Sequence, residues 1–267
     1  MNTYKLSAGA LLASIAFLFQ IGNDVLGVQT GFGMTVDLVG VPILVAFFIL
    51  GYETALYVAV LVAMFITFFA ASSYIGAFMK FAATIPSILV PAAYLISAKK
   101  TLDFGKMCGL VCLCLLALVG LVGLGTHLTD LSGKIIGHKS LWIGLIPIFI
   151  VAVFSYIMLL IWRRYEKAVD VNALSKIQYM LFVLITVVIV RGLLMIVANF
   201  YFAGPIFFKM SSEEFIALVE GVNFLWLGKG VAWYLVIFFW NAIQAAVEFV
   251  ISWMIAYKFG LVKMYSE

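Results

Sequence analysis

Charged side chains are scarce: Asp, Glu, Lys and Arg make up 10% of the 267 residues, while 66% are hydrophobic. The few charges cluster between long apolar runs, which leaves no room for a soluble domain or a long disordered linker. No basic run interleaved with aromatics is present, so the formal net charge of +4 does not point to nucleic acid. The three cysteines, Cys108, Cys112 and Cys114, fall in one apolar segment at spacings that match neither a zinc site nor a redox pair. They read as small apolar residues of a helix. The two histidines, His127 and His138, have no acidic or cysteine neighbours at ligand spacing, so no metal is expected. No cofactor is expected either. The acids Asp103, Asp130, Glu166 and Asp170 form no Asp-x-x-x-Asp pair. That counts against an intramembrane lipid-transferring or polyprenyl-transferring enzyme.

Apolar stretches fill the chain. A spanning helix needs about 20 mostly apolar residues, with every backbone polar group satisfied inside it. Clear candidates run from about Leu6 to Ile21, Phe81 to Ile96, Met107 to Gly125, Leu141 to Trp162, Ile177 to Phe202 and Val231 to Tyr257. Two shorter runs, Leu38 to Leu50 and Ala55 to Ala71, are separated by Gly51, Tyr52 and Glu53. The expected fold is therefore all-α, a polytopic membrane bundle of about eight apolar segments in one domain. The first segment does not read as a signal peptide, because its small residues precede the hydrophobic core rather than follow it.

Cation placement sets the expected orientation. With a cytoplasmic N-terminus, the inner connections carry Lys99, Lys100, Lys106, Arg163, Arg164, Lys167 and Lys176, and the tail carries Lys258 and Lys263. The outer ones carry Lys80, Lys134, Lys139, Lys209 and Lys229, and the loop Gly22 to Val36 has no cation. Both termini are placed in the cytoplasm, in a multi-pass protein of the cell membrane.

Polar residues inside apolar segments are costly and default to functional candidates. Asn241, Gln244 and Glu248 follow steps of three and four, so they share one helical face. Arg191 lies near the middle of the preceding long segment, at a depth similar to Glu248. The two are expected to pair, either as part of a site or simply as a lock between two helices. Asn199 and Asn241 sit nearer the outer surface and read as ligand contacts. On the first segment, Gly9, Ala13 and Ala16 form a smooth face. Such faces let helices approach closely, which suits either docking of an external partner or internal packing.

Ser211-Ser212-Glu213-Glu214 followed by Phe215 and Ile216 reads as a capping box opening a short amphipathic helix. Gly120, Gly123 and Gly125 read as helix packing or a helix end rather than a nucleotide fingerprint, since no strand precedes them.

Several stretches in order resemble one family, the substrate-binding S components of energy-coupling factor vitamin transporters, most closely the riboflavin-type group. Asp37 and Pro42 resemble the Asp-x-x-x-x-Pro entry to that family's short second helix, and Gly51 the glycine closing it, with Tyr52 in place of the following proline. Gly76-Ala77 with Phe81 is similar to Gly-Ala-x-x-Asn-Phe at the start of the fourth helix, but Lys80 stands at the Asn position. Asn199-Phe200-Tyr201 with Pro205 resembles the Asn-Tyr-x-x-x-x-Pro end of the fifth. Asn241 resembles the Asn of Pro-x-Asn-x-x-Lys in the last helix, where Phe239 and Gln244 replace Pro and Lys. The likeness covers about residues 6 to 97 and 177 to 257. Residues 98–176 have no counterpart and would be an inserted helix pair.

The resemblance implies a six-helix core with an outward-facing pocket beneath the first loop. Asp37, Lys80, Asn199, Asn241 and Gln244 would line that pocket, and a vitamin-like small molecule, riboflavin-like among the candidates, would fill it. Trp226, Trp233 and Trp240 would lie nearby as reporters. The glycines Gly22, Gly27, Gly31 and Gly33 would let the loop act as a lid. It also implies a membrane T component and ATPase subunits as partners, docking on Gly9, Ala13 and Ala16. The chain has no Gly-x-x-x-x-Gly-Lys-Ser/Thr phosphate loop, so ATP use would come from those partners. An accessory or scaffold subunit of a membrane complex is the competing reading, with the polar face of the last helix turned to a partner. A molecule retained through purification separates binder from scaffold, and turnover on a lipid identifies an enzyme.

Overall fold

A computed structural model describes residues 3–23, 27–70, 73–100, 103–136, 142–163 and 171–261. His138, Lys139, Arg164, Glu166, Lys167, Asp170 and Lys263 lie outside the described residues, and so do the side chains of Lys99, Lys100, His127, Asp130, Lys134, Arg163 and Trp226.

Among the described residues, ten α-helices follow in chain order: α1 (Thr3–Ile21), α2 (Gly40–Leu50), α3 (Tyr52–Phe69), α4 (Ser73–Thr84), α5 (Pro86–Lys100), α6 (Phe104–Ile136), α7 (Trp142–Arg163), α8 (Ile177–Ala198), α9 (Ser212–Gly221) and α10 (Trp233–Trp253). Helices α8 and α10 run on into wider π-helical turns, Asn199–Phe207 and Met254–Lys258. Between α1 and α2, the antiparallel strands β1 (Val28–Gln29) and β2 (Thr35–Val36) form a small hairpin.

Six helical stretches among the described residues are long and apolar enough to cross a bilayer: Thr3–Ile21, Tyr52–Phe69, Tyr74–Ala98, Phe104–Val122, Ile177–Pro205 and Trp233–Lys258. Two more apolar helices, Gly40–Leu50 and Phe149–Ile161, are shorter. The protein is thus a multi-pass membrane protein. Large apolar side chains such as Leu11, Leu18, Phe69, Leu113, Phe149 and Ile185 stand exposed around it, as a lipid-facing surface requires.

Burial sorts the helices into a centre and a shell. The Tyr74–Ala98 stretch is 89% buried, whereas α1 is 17% and the Phe104–Val122 stretch 22% buried. Helix α2 is buried on every side except at Ile49. At 11 residues it spans about 16 Å, half of a hydrocarbon layer of about 30 Å. A helix that is apolar all round belongs in a protein interior, and α2 meets α1, α3, α5 and α10. It reverses into α3 at Gly51, whose φ of +95° favours glycine.

The fourth segment begins at Ser73, not at Phe81, so Lys80 is inside helix α4 rather than in an outer connection. It joins α5 with a short interruption at Ile85, where Pro86 takes the first helical position. Within residues 98–176, α6 packs against α5 and α7, and α7 against α3 and α4. The half-buried cysteines Cys108, Cys112 and Cys114 lie on α6 against the apolar core. Helix α9 opens with the expected capping box: Ser211 Oγ accepts from Glu214 N–H, and the Glu214 carboxylate accepts from Ser211 N–H. That backbone bond, then the Ser211 hydroxyl, holds the Glu214 carboxyl below the usual carboxylate range.

The smooth face of α1 is not a docking surface. Gly9, Ala13 and Ala16 are the buried residues of that helix, and α1 packs on α3. A Cβ at Gly9 would stand 3.0 Å from Tyr57 Cδ1 and 3.1 Å from Thr54 Cγ2. Close approach between helices is consumed inside the chain. Gly9→Leu is therefore expected to lower stability by about 1–3 kcal/mol through overpacking. Gly109→Leu on the open side of α6, where no atom lies within 4 Å, should leave the unfolding midpoint in detergent unchanged. Equal midpoints for the two variants would contradict the α1–α3 packing.

Candidate functional site

Asp37 is the hub of a buried polar ladder. It sits between β2 and α2, and its Oδ1 accepts from Val39 N–H at 3.0 Å, an Asx-type turn that fixes the carboxylate as the chain enters α2. Lys80 of α4 donates to both carboxylate oxygens, at 2.7 and 2.6 Å. Asn23, just past α1, donates through Nδ2 at 3.0 Å, and Gln244 of α10 donates through Nε2 at 3.3 Å. Side-chain exposure is 2% for Asp37 and 14% for Lys80, so the ammonium is the group nearer the opening.

Gln244 carries the ladder inward. Its Nε2 also donates to Glu248 Oε1 at 3.0 Å, one turn further along α10. Glu248 Oε1 accepts as well from Gly40 N–H at 3.2 Å, an approach that a side chain at Gly40 would block, because its Cβ would fall on the Glu248 carboxylate. Glu248 Oε2 meets Arg191 Nη1 of α8 at 2.6 Å, with both side chains fully buried. The expected pairing of Arg191 with Glu248 is present in the geometry. Its setting is a chain of charges, Lys80, Asp37, Glu248 and Arg191, that sums to zero. Each carboxylate has a cation at hydrogen-bond distance, the condition under which buried charge is tolerated.

At the Asp37–Lys80 end of the ladder lies a cavity of about 200 Å³ whose lining includes Asp37, Lys80, Asn199, Asn241 and Gln244. All five proposed ligand-contact residues thus border one space. The hairpin forms part of its wall: Phe32, Gly33, Met34 and Thr35 contribute to the lining, and Phe32 is buried at the hairpin tip between Gly31 (φ +83°) and Gly33 (φ +90°). Any Cβ at Gly33 would also strike the Phe208 ring. Asn199 opens the π-helical stretch at the end of α8, a kind of helix defect frequent at functional sites. Beside it, Phe200 stacks on Trp233 at 5.1 Å, while Tyr201 and Tyr234 stand exposed, an aromatic girdle of the kind found at a membrane–water interface.

The cavity chemistry is set by how its amides are oriented. Asn199 Nδ2 donates to Met195 O at 2.8 Å and Asn241 Nδ2 to Ile237 O at 2.9 Å, each one turn back in its own helix. Asn241 Oδ1 and Asn23 Oδ1 are buried and accept from no described group.

Comparison with family models, curated proteins and solved structures finds no match. The site therefore has to be read from its own chemistry.

The sequence pattern did not single out Asn23, Gln20, Phe32, Met34, Met79, Met195 or Phe208, all of which line the cavity. Asn23 was the most legible of these, a carboxamide where the first apolar run ends. The methionines and phenylalanines carry no local signal, because in a membrane segment they look like any core or lipid-facing side chain. The tryptophans expected as reporters, Trp233 and Trp240, are not among the lining residues.

Proposed function

We propose that this protein captures a small metabolite at one face of the bilayer, as the substrate-binding subunit of an ATP-driven importer of the energy-coupling factor type. The observation that carries the reading is the cavity bordered by Asp37, Lys80, Asn199, Asn241 and Gln244, beside which the carbonyl oxygen of the buried Asn241 has no partner among the described residues. Burying an acceptor without a partner costs about 1–3 kcal/mol, a cost that a bound donor removes. An apolar cavity with a few oriented polar groups is the usual form of a small-molecule site. At about 200 Å³ it lies below the ~300 Å³ lower end of common ligand pockets, which favours a compact metabolite over a whole flavin.

In this reading all eight apolar segments belong to the membrane domain, with α6 and α7 as the pair added to a six-helix core. The ends remote from the cavity carry Lys5, Lys106, Lys176 and Lys258, at the starts of α1, α6 and α8 and the end of α10. By the positive-inside rule that end is cytoplasmic, the cavity opens outward and both termini lie on the cytoplasmic side of the cell membrane. ATP hydrolysis is assigned to ATPase partners acting through a membrane T component. Their docking surface lies elsewhere than on Gly9, Ala13 and Ala16.

Native mass spectrometry of the detergent-purified protein is the direct test. A retained small molecule is expected, and Asn241→Leu should lower its occupancy by about ten-fold or more, the effect of losing one buried hydrogen bond. An empty wild-type protein whose unfolding midpoint no vitamin or metabolite raises would replace this reading with that of an accessory subunit.

A further inference from the structure

Five carboxamides line the cavity. Four of them, Asn23, Asn199, Asn241 and Gln244, each turn an amide N–H to the protein, and the fifth, Gln20, lies half-buried at the end of α1. Asn23 donates to Asp37, Asn199 to Met195 O, Asn241 to Ile237 O, and Gln244 to both Asp37 and Glu248. The orientations are fixed chemically, since a flipped amide would set its oxygen against a carboxylate or a carbonyl. Four carbonyl oxygens are left over. Those of Asn23 and Asn241 are buried without a partner among the described residues, and no described group donates to those of Asn199 and Gln244. The cation that lines the cavity, Lys80, is held by both oxygens of Asp37. Asp37 itself already accepts from Lys80, Asn23, Val39 and Gln244, so its lone pairs are engaged.

We infer that the cavity selects its ligand by hydrogen-bond donors: a compact, non-anionic molecule with at least two N–H or O–H groups. The inference rests on the reading of this cavity as a ligand site. An anion would face carbonyl dipoles and the Asp37 carboxylate, with a cation already neutralised beside it. A ligand offering only acceptors would leave the buried oxygens unpaired. The walls suit a planar group, because Met34, Met79 and Met195 present polarizable thioethers and Phe32 and Phe208 present rings.

The test compares three phenyl-bearing probes on the full chain in detergent: phenylurea, which carries N–H donors; its fully N-methylated analogue, which carries none; and phenylacetate, an anion. Phenylurea is expected to bind about ten-fold or more tightly than either of the others. Both Asn241→Leu and Asn23→Leu should shrink that preference. Equal affinity for phenylurea and its methylated analogue, or tighter binding of phenylacetate, would overturn the donor rule and leave the ligand site standing. No saturable binding of any of the three would overturn both.

Discussion

Arg191→Met is expected to destabilise the protein by about 3–5 kcal/mol, among the largest losses available from a single substitution here. The guanidinium lies 2.6 Å from Glu248 Oε2 and neither side chain has any exposure. Without it, Glu248 keeps only Gly40 N–H and Gln244 Nε2 as partners, and a full negative charge remains inside the bundle. The ion pair joins α8 to α10, and Gly40 ties α2 to the same carboxylate, so three helices lose their common anchor. The repair is equally specific. In Arg191→Met/Glu248→Gln neither charge of the pair remains, and the amide oxygen introduced on α10 still accepts from Gly40 N–H. That double variant should regain most of the loss, because Arg191 leaves Nε and Nη2 without partners among the described residues even in the native protein. Thermal unfolding in detergent, followed by intrinsic fluorescence, measures both. A single variant within about 1 kcal/mol of wild type would mean that the charge ladder does not hold these helices together.

What the sequence disclosed depended on whether a residue's neighbours lie along the chain or across it. Asn241, Gln244 and Glu248 share a face through helical periodicity alone, and charge neutrality inside hydrocarbon then demanded a partner at the depth of Arg191. That deduction needed no tertiary structure. Lys80 was less legible. A lysine at the edge of an apolar run reads as the start of a loop, and only the carboxylate of Asp37, 43 residues earlier, lets it sit within α4. The helix boundary was therefore misplaced by a long-range ion pair. Helix α2 posed the same difficulty: its 11 residues look too few for a span, and its full burial explains why it need not be one.

The smooth face of α1 shows the limit of composition. Gly9, Ala13 and Ala16 predict close approach but not the identity of the approaching helix, and Tyr57 and Thr54 of α3 are what Gly9 meets. The cavity was partly legible, since its polar contacts are expensive residues that stand out against an apolar background. Its apolar walls were not. Met34 and Phe32 come from the hairpin and Met195 from α8, and nothing local distinguishes a methionine facing a cavity from one facing lipid.

Asp37 and Lys80 should exchange the charge preference of the cavity when removed one at a time. In the native protein they cancel at 2.6 Å, so the cavity end of the ladder presents no net charge. Lys80→Met leaves the Asp37 carboxylate with only the neutral donors of Asn23, Val39 and Gln244, next to a cavity already rich in carbonyl oxygens. Benzylammonium, a probe with a single cationic group, should then bind about 100-fold more tightly than to wild type. Unit charges a few ångströms apart are worth about 4 kcal/mol at an effective dielectric constant near 20, part of which desolvation removes. Asp37→Asn frees the Lys80 ammonium, and phenylacetate should gain by a similar factor. The double variant Asp37→Asn/Lys80→Met restores neutrality and should return both probes to weak binding. Titration of the three proteins in detergent at low ionic strength reads the effect directly, and added salt should diminish it only modestly because Asp37 is buried. If both single variants fold and neither changes preference, the ion pair is not at the binding surface, and the ligand contacts reduce to the carboxamides Asn23, Asn199, Asn241 and Gln244.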